Sequence, residues 1–449
     1  MKNYDLTTGN ITKKLWAFAL PLMLGNVLQQ FYNLADTWIV GKYVGSNALA
    51  AVGSSYTLMT FLTSILLGMC LGASAFFSIS FGEKDFERLK NGKFVSLVII
   101  GVSALVITGV VFALNDYIVV WLRVPFALQS MTKEYLFFVY FGIFATFIYN
   151  YYSNFLRAIG NSAAPLLFLA FSVGLNIALD FYFILPLDMG VRGAALATVI
   201  SQYVSGLGVM LYSYFKYPHL RVDAQSAKFS KAVAKNLVSL SGFTCVQQSV
   251  MNFGILAVQG IVNGFGATVM SAFAVAVKID TVAYMPVQDF GNAFSTFVAQ
   301  NYGAGKTGRI KRGIKQSLLS VAAFCIAVST LVCAFAKSLM QIFISTSQTD
   351  IIAVGTQYLR IEGAFYIGIG ILFMLYGYYR AVNKPAMSVV LTVISLGVRV
   401  FLAATLSKIA SLGAVGIWVA VPIGWALADI VGVLYYLVNE NKKKEKNYA

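Results

Sequence analysis

Apolar runs of roughly 20 residues or more alternate with short polar segments along the whole chain, the pattern of helices long enough to cross a bilayer. About twelve such runs are visible, the first from Leu15 to Val40 and the last from Ala414 to Val438. The short alternating segments of a β-barrel are not seen. The pattern therefore predicts an all-α integral membrane protein with about twelve transmembrane helices. Two of the runs also carry polar stripes. In the first, Asn26, Gln30, Asn33 and Thr37 recur at helical spacing with Gln29 and Asp36 beside them; in the fifth, Ser172, Asn176 and Asp180 stand every fourth residue. A carboxylate in hydrocarbon is costly unless it faces a cavity or a partner, so Asp36 and Asp180 are read as functional. Two carboxylates with amide and hydroxyl oxygens make a hard-oxygen cage for a small cation, and the same cage can hold a proton.

The pattern also repeats. The segment FGEKDFERLKNGK after the second run reappears as YGAGKTGRIKRGI after the eighth, matching Phe81 with Tyr302, Gly82 with Gly303, Arg88 with Arg309, Lys90 with Lys311 and Gly92 with Gly313. FLRAIGNSAAP after the fourth run corresponds to GYYRAVNKP after the tenth. Six spans per half with both halves starting on one side predict parallel repeats: two pseudo-symmetric six-helix lobes around a central cavity. The expected divisions are residues 1–215 for the first lobe, 216–235 for a cytoplasmic linker, and 236–449 for the second lobe with its basic tail.

Composition agrees with burial in lipid: 59% of the 449 residues are hydrophobic, 11% are charged, and the mean hydropathy is +0.76, which excludes a soluble globule. The net charge of +16 is placed unevenly. Lys2, Lys13, Lys14, Lys84, Arg88, Lys90, Lys93, Arg157, the linker cations, Lys306, Arg309, Lys311, Arg312, Lys315, Arg380, Lys384 and the tail lysines 442, 443, 444 and 446 fall on one side. Only Lys42, Arg123, Lys133, Arg192, Lys337, Arg360 and Lys408 fall on the other. That asymmetry puts both termini in the cytoplasm and the protein in the plasma membrane, with attraction to anionic lipids rather than nucleic acid. The first run lacks a cleavage site and reads as a retained span. Cys70, Cys245, Cys325 and Cys333 have no metal spacing, and His219 is the sole histidine, so a cofactor or enzymatic role has almost no raw material. A monomer is expected.

The stretches ALPLMLGNVLQQFYNLADTWIVGKYVG, LGASAFFSISFGEKD, LRAIGN, VAQNYGAGK, and SLGVRV followed by GIWVAVPIGWALAD resemble the multidrug and toxic compound extrusion (MATE) family of antiporters. The likeness runs over nearly the whole chain and is nearest the bacterial branch with DinF-like and MepA-like exporters. It implies export of organic, mostly cationic or aromatic drugs by alternating access, driven by inward flow of H+ or Na+. It also implies a cation site at Asp36, Asn150, Asn176, Asp180 and Thr198, with Na+ held at Asp36, Asn176 and Asp180 if sodium is the ion, and Tyr135 beside them.

The second lobe departs from this pattern. Its first helix keeps Ser241, Thr244, Gln248 and Asn252, but small apolar residues from Gly254 to Ala257 stand where Asp36 would repeat. Asp280 and Glu362 are the candidates there for attracting a cationic substrate, with Tyr135 and Gln248 as further cavity candidates. Lys278, Asp280, Asp289, Glu362, Arg399 and Asp429 read mainly as paired ions or near-mouth residues. A second reading, a lipid-linked oligosaccharide flippase of the same superfamily, would want cavity arginines; Lys278 and Arg399 are the only intramembrane cations to serve it. A lipid-modifying enzyme finds no nucleophile motif.

Overall fold

The computed structural model describes residues 5–122 and 124–448, with side chains to residue 440. Lys2, Arg123 and the side chains of the tail lysines lie outside the described residues. The helices, in order, are α1 (Ile11–Tyr43), α2 (Ser46–Glu83), α3 (Phe86–Ala113), the short α4 (Asn115–Trp121), α5 (Phe126–Ala158), α6 (Ala163–Ile184), α7 (Gly190–Lys216), α8 (Lys231–Asn263), α9 (Ala267–Gly303), α10 (Thr307–Gln341), α11 (Thr349–Gly363), α12 (Tyr366–Ala381), α13 (Pro385–Leu406) and α14 (Val415–Tyr448). Among the described residues there is no strand.

Ten of these helices are long and apolar enough to cross a membrane, and α11 with α12 makes an eleventh, bent by 52° at its break. At 33 residues, α1 has the length of a span, but its polar stripe dilutes its apolarity. The expected tenth span, a single helix from Tyr358 to Tyr379, is thus two helices. The helix breaks at Ala364 and Phe365, where the Phe365 N–H donates to the Glu362 carbonyl at 3.0 Å.

The chain divides into two compact units. One holds Ala17–Cys245 with the outlying segments Met1–Thr8 and Gly303–Gly305; the other holds Val246–Tyr302 and Lys306–Ala449 with Gly9–Trp16. The division in α8 falls between Cys245 and Val246. In the first unit α5 packs on α7 and α2, and α6 on α7. In the second, α13 packs on α14 and α10 on α11.

The repeat seen in the sequence reappears in backbone geometry. The turn before α3 has Lys84 at φ 61°, and the turn before α10 has Gly305 at φ 68°. The turn before α6 has Gly160 at φ 93°, and the one before α13 has Asn383 at φ 59°. Left-handed φ favours glycine and asparagine, which occupy three of the four positions. Beyond the first turn pair, the ring of Phe76 fills the space above Gly92, and Phe297 fills the space above Gly313. Arg88 lies over Phe76 at 5.2 Å and Arg309 over Phe297 at 5.6 Å.

The linker is not a loose tether. Asn91 on α3 donates to the carbonyls of Ser226 at 3.0 Å and Lys228 at 2.7 Å. Asp223 pairs with Lys90 at 2.9 Å, and Lys90 with Ser226 holds the Asp223 carboxyl well below the usual carboxylate range.

Gly68 and Gly72, a small-xxx-small pair on α2, set the contact with residues 240–245 in the first half of α8. A Cβ at Gly68 would stand 2.7 Å from the Cys245 Cα, and one at Gly72 would overlap Ser241 and the Leu240 carbonyl. The same approach lets Ser241 donate to the Met69 carbonyl at 2.9 Å. Backbone cannot yield as a side chain can, so Gly72→Val is expected to cost about 1 to 3 kcal/mol. A lowered melting temperature in detergent, with Gly72→Ala between parent and valine, is the expected readout; an unchanged melt for the valine variant would contradict the close approach.

Candidate cation site

In the first unit four helices bring polar groups together around Asp36 and Asp180. Asp36 on α1 and Asp180 on α6 are both buried, Asp180 completely. The two lie close enough for their charges to repel. The every-fourth spacing of Ser172, Asn176 and Asp180 is what turns α6 so that all three are buried. Ser172 fastens that face to α7 by donating to the Ser201 carbonyl at 2.8 Å. The hydrogen-bonding surroundings fix the Asn176 amide: Nδ2 donates to Asp180 Oδ2 at 3.0 Å, and Oδ1 accepts from the Thr198 backbone N–H on α7 at 3.3 Å. Tyr32, one turn before Asp36 on α1, donates its hydroxyl to Thr198 Oγ1 at 3.1 Å. Tyr135 on α5 is buried within the electrostatic reach of both acids. Ile39, Val139, Ile184 and Val191 close an apolar core around this group.

Two oxygens remain. Asp36 Oδ1 and Asp180 Oδ1 are buried and have no hydrogen-bond partner. No lysine or arginine lies within ion-pair distance of either acid among the described residues. A buried, uncompensated carboxylate pair is strongly unfavourable, and a bound cation or a proton is what would relieve it. The oxygens of Thr198 and Tyr32 stand in the same group, and all are hard donors suited to a small cation. Among the described residues no cluster of three or more His, Cys, Asp or Glu exists; the set is two acids with neutral oxygens.

Not every expected residue joins. Asn150 on α5 donates back to the Thr146 carbonyl at 2.9 Å, a bond within its own helix, and no bond links it to Asp180 among the described residues. On α1, Gln30 and Thr37 are exposed, and Thr37 Oγ1 donates to the Asn33 carbonyl at 2.7 Å. The buried side of α1 is the one through Tyr32 and Asp36. Tyr32 was not singled out by the polar pattern; its position four residues before an intramembrane acid is the signal that marks it.

The second unit holds a separate cluster. Asp280 on α9 and Glu362 on α11 are buried and interact electrostatically with each other, with Arg399 on α13, and with Tyr358 and Tyr366. Asp280 Oδ1 and the Tyr366 hydroxyl have no hydrogen-bond partner. Arg399 also lies over the Trp425 ring at 5.7 Å. The expected ion pairs are therefore looser than direct bridges: among the described residues none of these groups makes a contact within ion-pair distance. Lys278 is exposed. Gln248 is half-buried on α8, with no side-chain hydrogen bond to either acid among the described residues. Asp429 on α14 keeps a buried Oδ1 without a partner.

The MatE family model matches residues 21–182 and again 244–405, one match in each half of the repeat. The chain is 30% identical to the probable multidrug resistance protein YpnP of Bacillus subtilis over 437 residues, 97% of each chain. It is 24% identical to the probable multidrug resistance protein NorM of Thermotoga maritima, over 97% of this chain and 94% of that one. Among solved structures it superposes on a crystal structure of MATE in the bent conformation with a TM-score of 0.92, at 23% identity and over 100% of both chains.

Proposed function

The chain belongs to the MatE family, and from that premise we propose that it is a cation-coupled antiporter that exports organic cations and aromatic drugs, with Asp36 and Asp180 holding the coupling ion. One observation carries this reading: two buried carboxylate oxygens, on different helices and close together, with neither a hydrogen bond nor a counter-ion. The ion is a proton or Na+, and it enters as cargo. When it binds, the repulsion between α1 and α6 disappears, and the packing of α1 against α6 and α7 changes with it. Pro21 lies inside α1 and removes one intrahelical hydrogen bond, which makes it the point where α1 can bend. Ion binding from outside then favours the state that has released drug, and the gradient resets the cycle.

The neutral Asn176, Thr198 and Tyr32 do the positioning. Asn176 spans Asp180 and the α7 backbone, and Tyr32 ties α1 to Thr198. Arg399 faces Asp280 and Glu362, so its charge is already answered and is poorly available to a pyrophosphate. That disfavours the flippase reading.

The test is uptake of a fluorescent organic cation into inverted membrane vesicles under an imposed proton or sodium gradient. Uptake driven by one of them, and abolished when that gradient is collapsed, is the expected result; accumulation indifferent to both gradients would sink the proposal.

We also propose cytoplasmic termini from the charge asymmetry. In a cysteine-free background, cysteine at Lys311 should be shielded from an impermeant thiol reagent in intact cells, and cysteine at Lys408 labelled; both side chains are exposed. Labelling in the reverse sense would invert the topology.

A further inference from the structure

The two repeats diverge where α3 and α10 begin. On α3, Lys90 is neutralised by Glu87 at 2.8 Å and Asp223 at 2.9 Å, the next residue is the neutral Asn91, capped by linker carbonyls, and three residues further on is Phe94. On α10 the equivalent of Lys90, Lys311, pairs with Glu440 at 2.5 Å. The equivalents of Asn91 and Phe94 are instead Arg312 and Lys315. Both are exposed, and neither has an acidic partner within ion-pair distance among the described residues. The second repeat thus adds two cations at the place where the first supplies its own cover.

Their position on the helix says what could answer them. Residues three apart on a helix are neighbours, so Arg312 and Lys315 present their charges together. Leu319 and Ile326, each more than half exposed, continue the side of α10 that carries Arg312 and Lys315, while Ser317, Val321, Cys325 and Val332 are buried on the other side. In a membrane such an exposed apolar stripe meets acyl chains. Basic side chains at its end, with aliphatic stems that reach toward the interface, meet headgroups.

We propose that Arg312 and Lys315 bind the phosphate of an anionic phospholipid whose acyl chains lie along Leu319 and Ile326. The guanidinium supplies a two-pronged contact to phosphate oxygens and the ammonium a point charge. A zwitterionic lipid has the phosphate but carries its own cation, so net headgroup charge decides selectivity. The site lies within the second unit and does not depend on the transport reading.

The experiment uses the full-length protein, delipidated in detergent, with bound lipid counted by native mass spectrometry at matched concentrations of phosphatidylglycerol and phosphatidylcholine. The parent should retain phosphatidylglycerol preferentially. R312A/K315A should weaken that binding on the order of tenfold or more, since each basic residue near an anionic surface contributes appreciably. Phosphatidylcholine binding should be unchanged, and Lys337→Ala, at the far end of the same helix, should behave as the parent. Equal phosphatidylglycerol retention by parent and double variant overturns the proposal. So does displacement of phosphatidylglycerol by inorganic phosphate at comparable concentration, which would mark a site for free anions.

Discussion

Asp36→Asn and Asp180→Asn are each expected to reduce gradient-driven efflux on the order of a hundredfold, the scale of a lost coupling free energy between two ligands. An amide keeps the shape of the carboxylate but cannot take up a proton at neutral pH and binds Na+ without neutralising anything. The fold should not suffer. Asp36 Oδ1 and Asp180 Oδ1 make no hydrogen bond to lose, and Asn176 Nδ2 can donate to an amide oxygen at position 180 as it does to Asp180 Oδ2. Removing one of two uncompensated buried charges relieves a cost, so the melting temperature should hold or rise. The check is efflux rate in vesicles beside a detergent melt. Normal transport by both variants under a defined gradient would move the coupling site elsewhere, and a collapsed melt would make the two acids structural.

Asp280→Asn or Glu362→Gln should instead change drug affinity, by about tenfold for a singly charged drug, because one charge is removed from a buried site where effective dielectric screening is weak. Asp280 and Glu362 share their buried surroundings with Arg399, so either substitution takes away one acid that a cationic drug would otherwise meet. Neutral aromatic substrates should be affected less. Binding isotherms for a cationic and a neutral ligand check this; equal effects on both would argue that the acids shape the second unit rather than attract cargo.

What the sequence made legible, and what it hid, follows from the range of the signals. Apolar length marks each span, and even α1, the most polar of them, is a single 33-residue helix. The repeat was readable down to individual turns because left-handed backbone restricts residue choice, as Gly160 and Asn383 show. Asp36, Asn176, Asp180 and Thr198 do come together because spacing along one helix dictates a shared side, and resemblance supplied the pairing between helices. Asn150 does not join, since an asparagine in a helix can always satisfy itself on the carbonyl four residues back, as this one does at Thr146. Tyr32 escaped notice because tyrosine is common in membrane helices whether or not its hydroxyl has work to do. The break between α11 and α12 has no proline to announce it. The Gly68 and Gly72 contact with α8 depends on two segments about 170 residues apart, which no local pattern records.

The central claim is that the first-unit acids hold the coupling cation, and the most direct measurement is the affinity of a fluorescent organic cation for the purified protein, titrated with Na+ and separately with pH. The account predicts that drug binding to the parent weakens as the coupling ion is added, that Asp36→Asn binds drug but no longer responds to the ion, and that Asp280→Asn still responds. An Asp36→Asn protein that keeps the full ion response, beside an Asp280→Asn or Glu362→Gln protein that has lost it, would contradict the account and place coupling in the second unit.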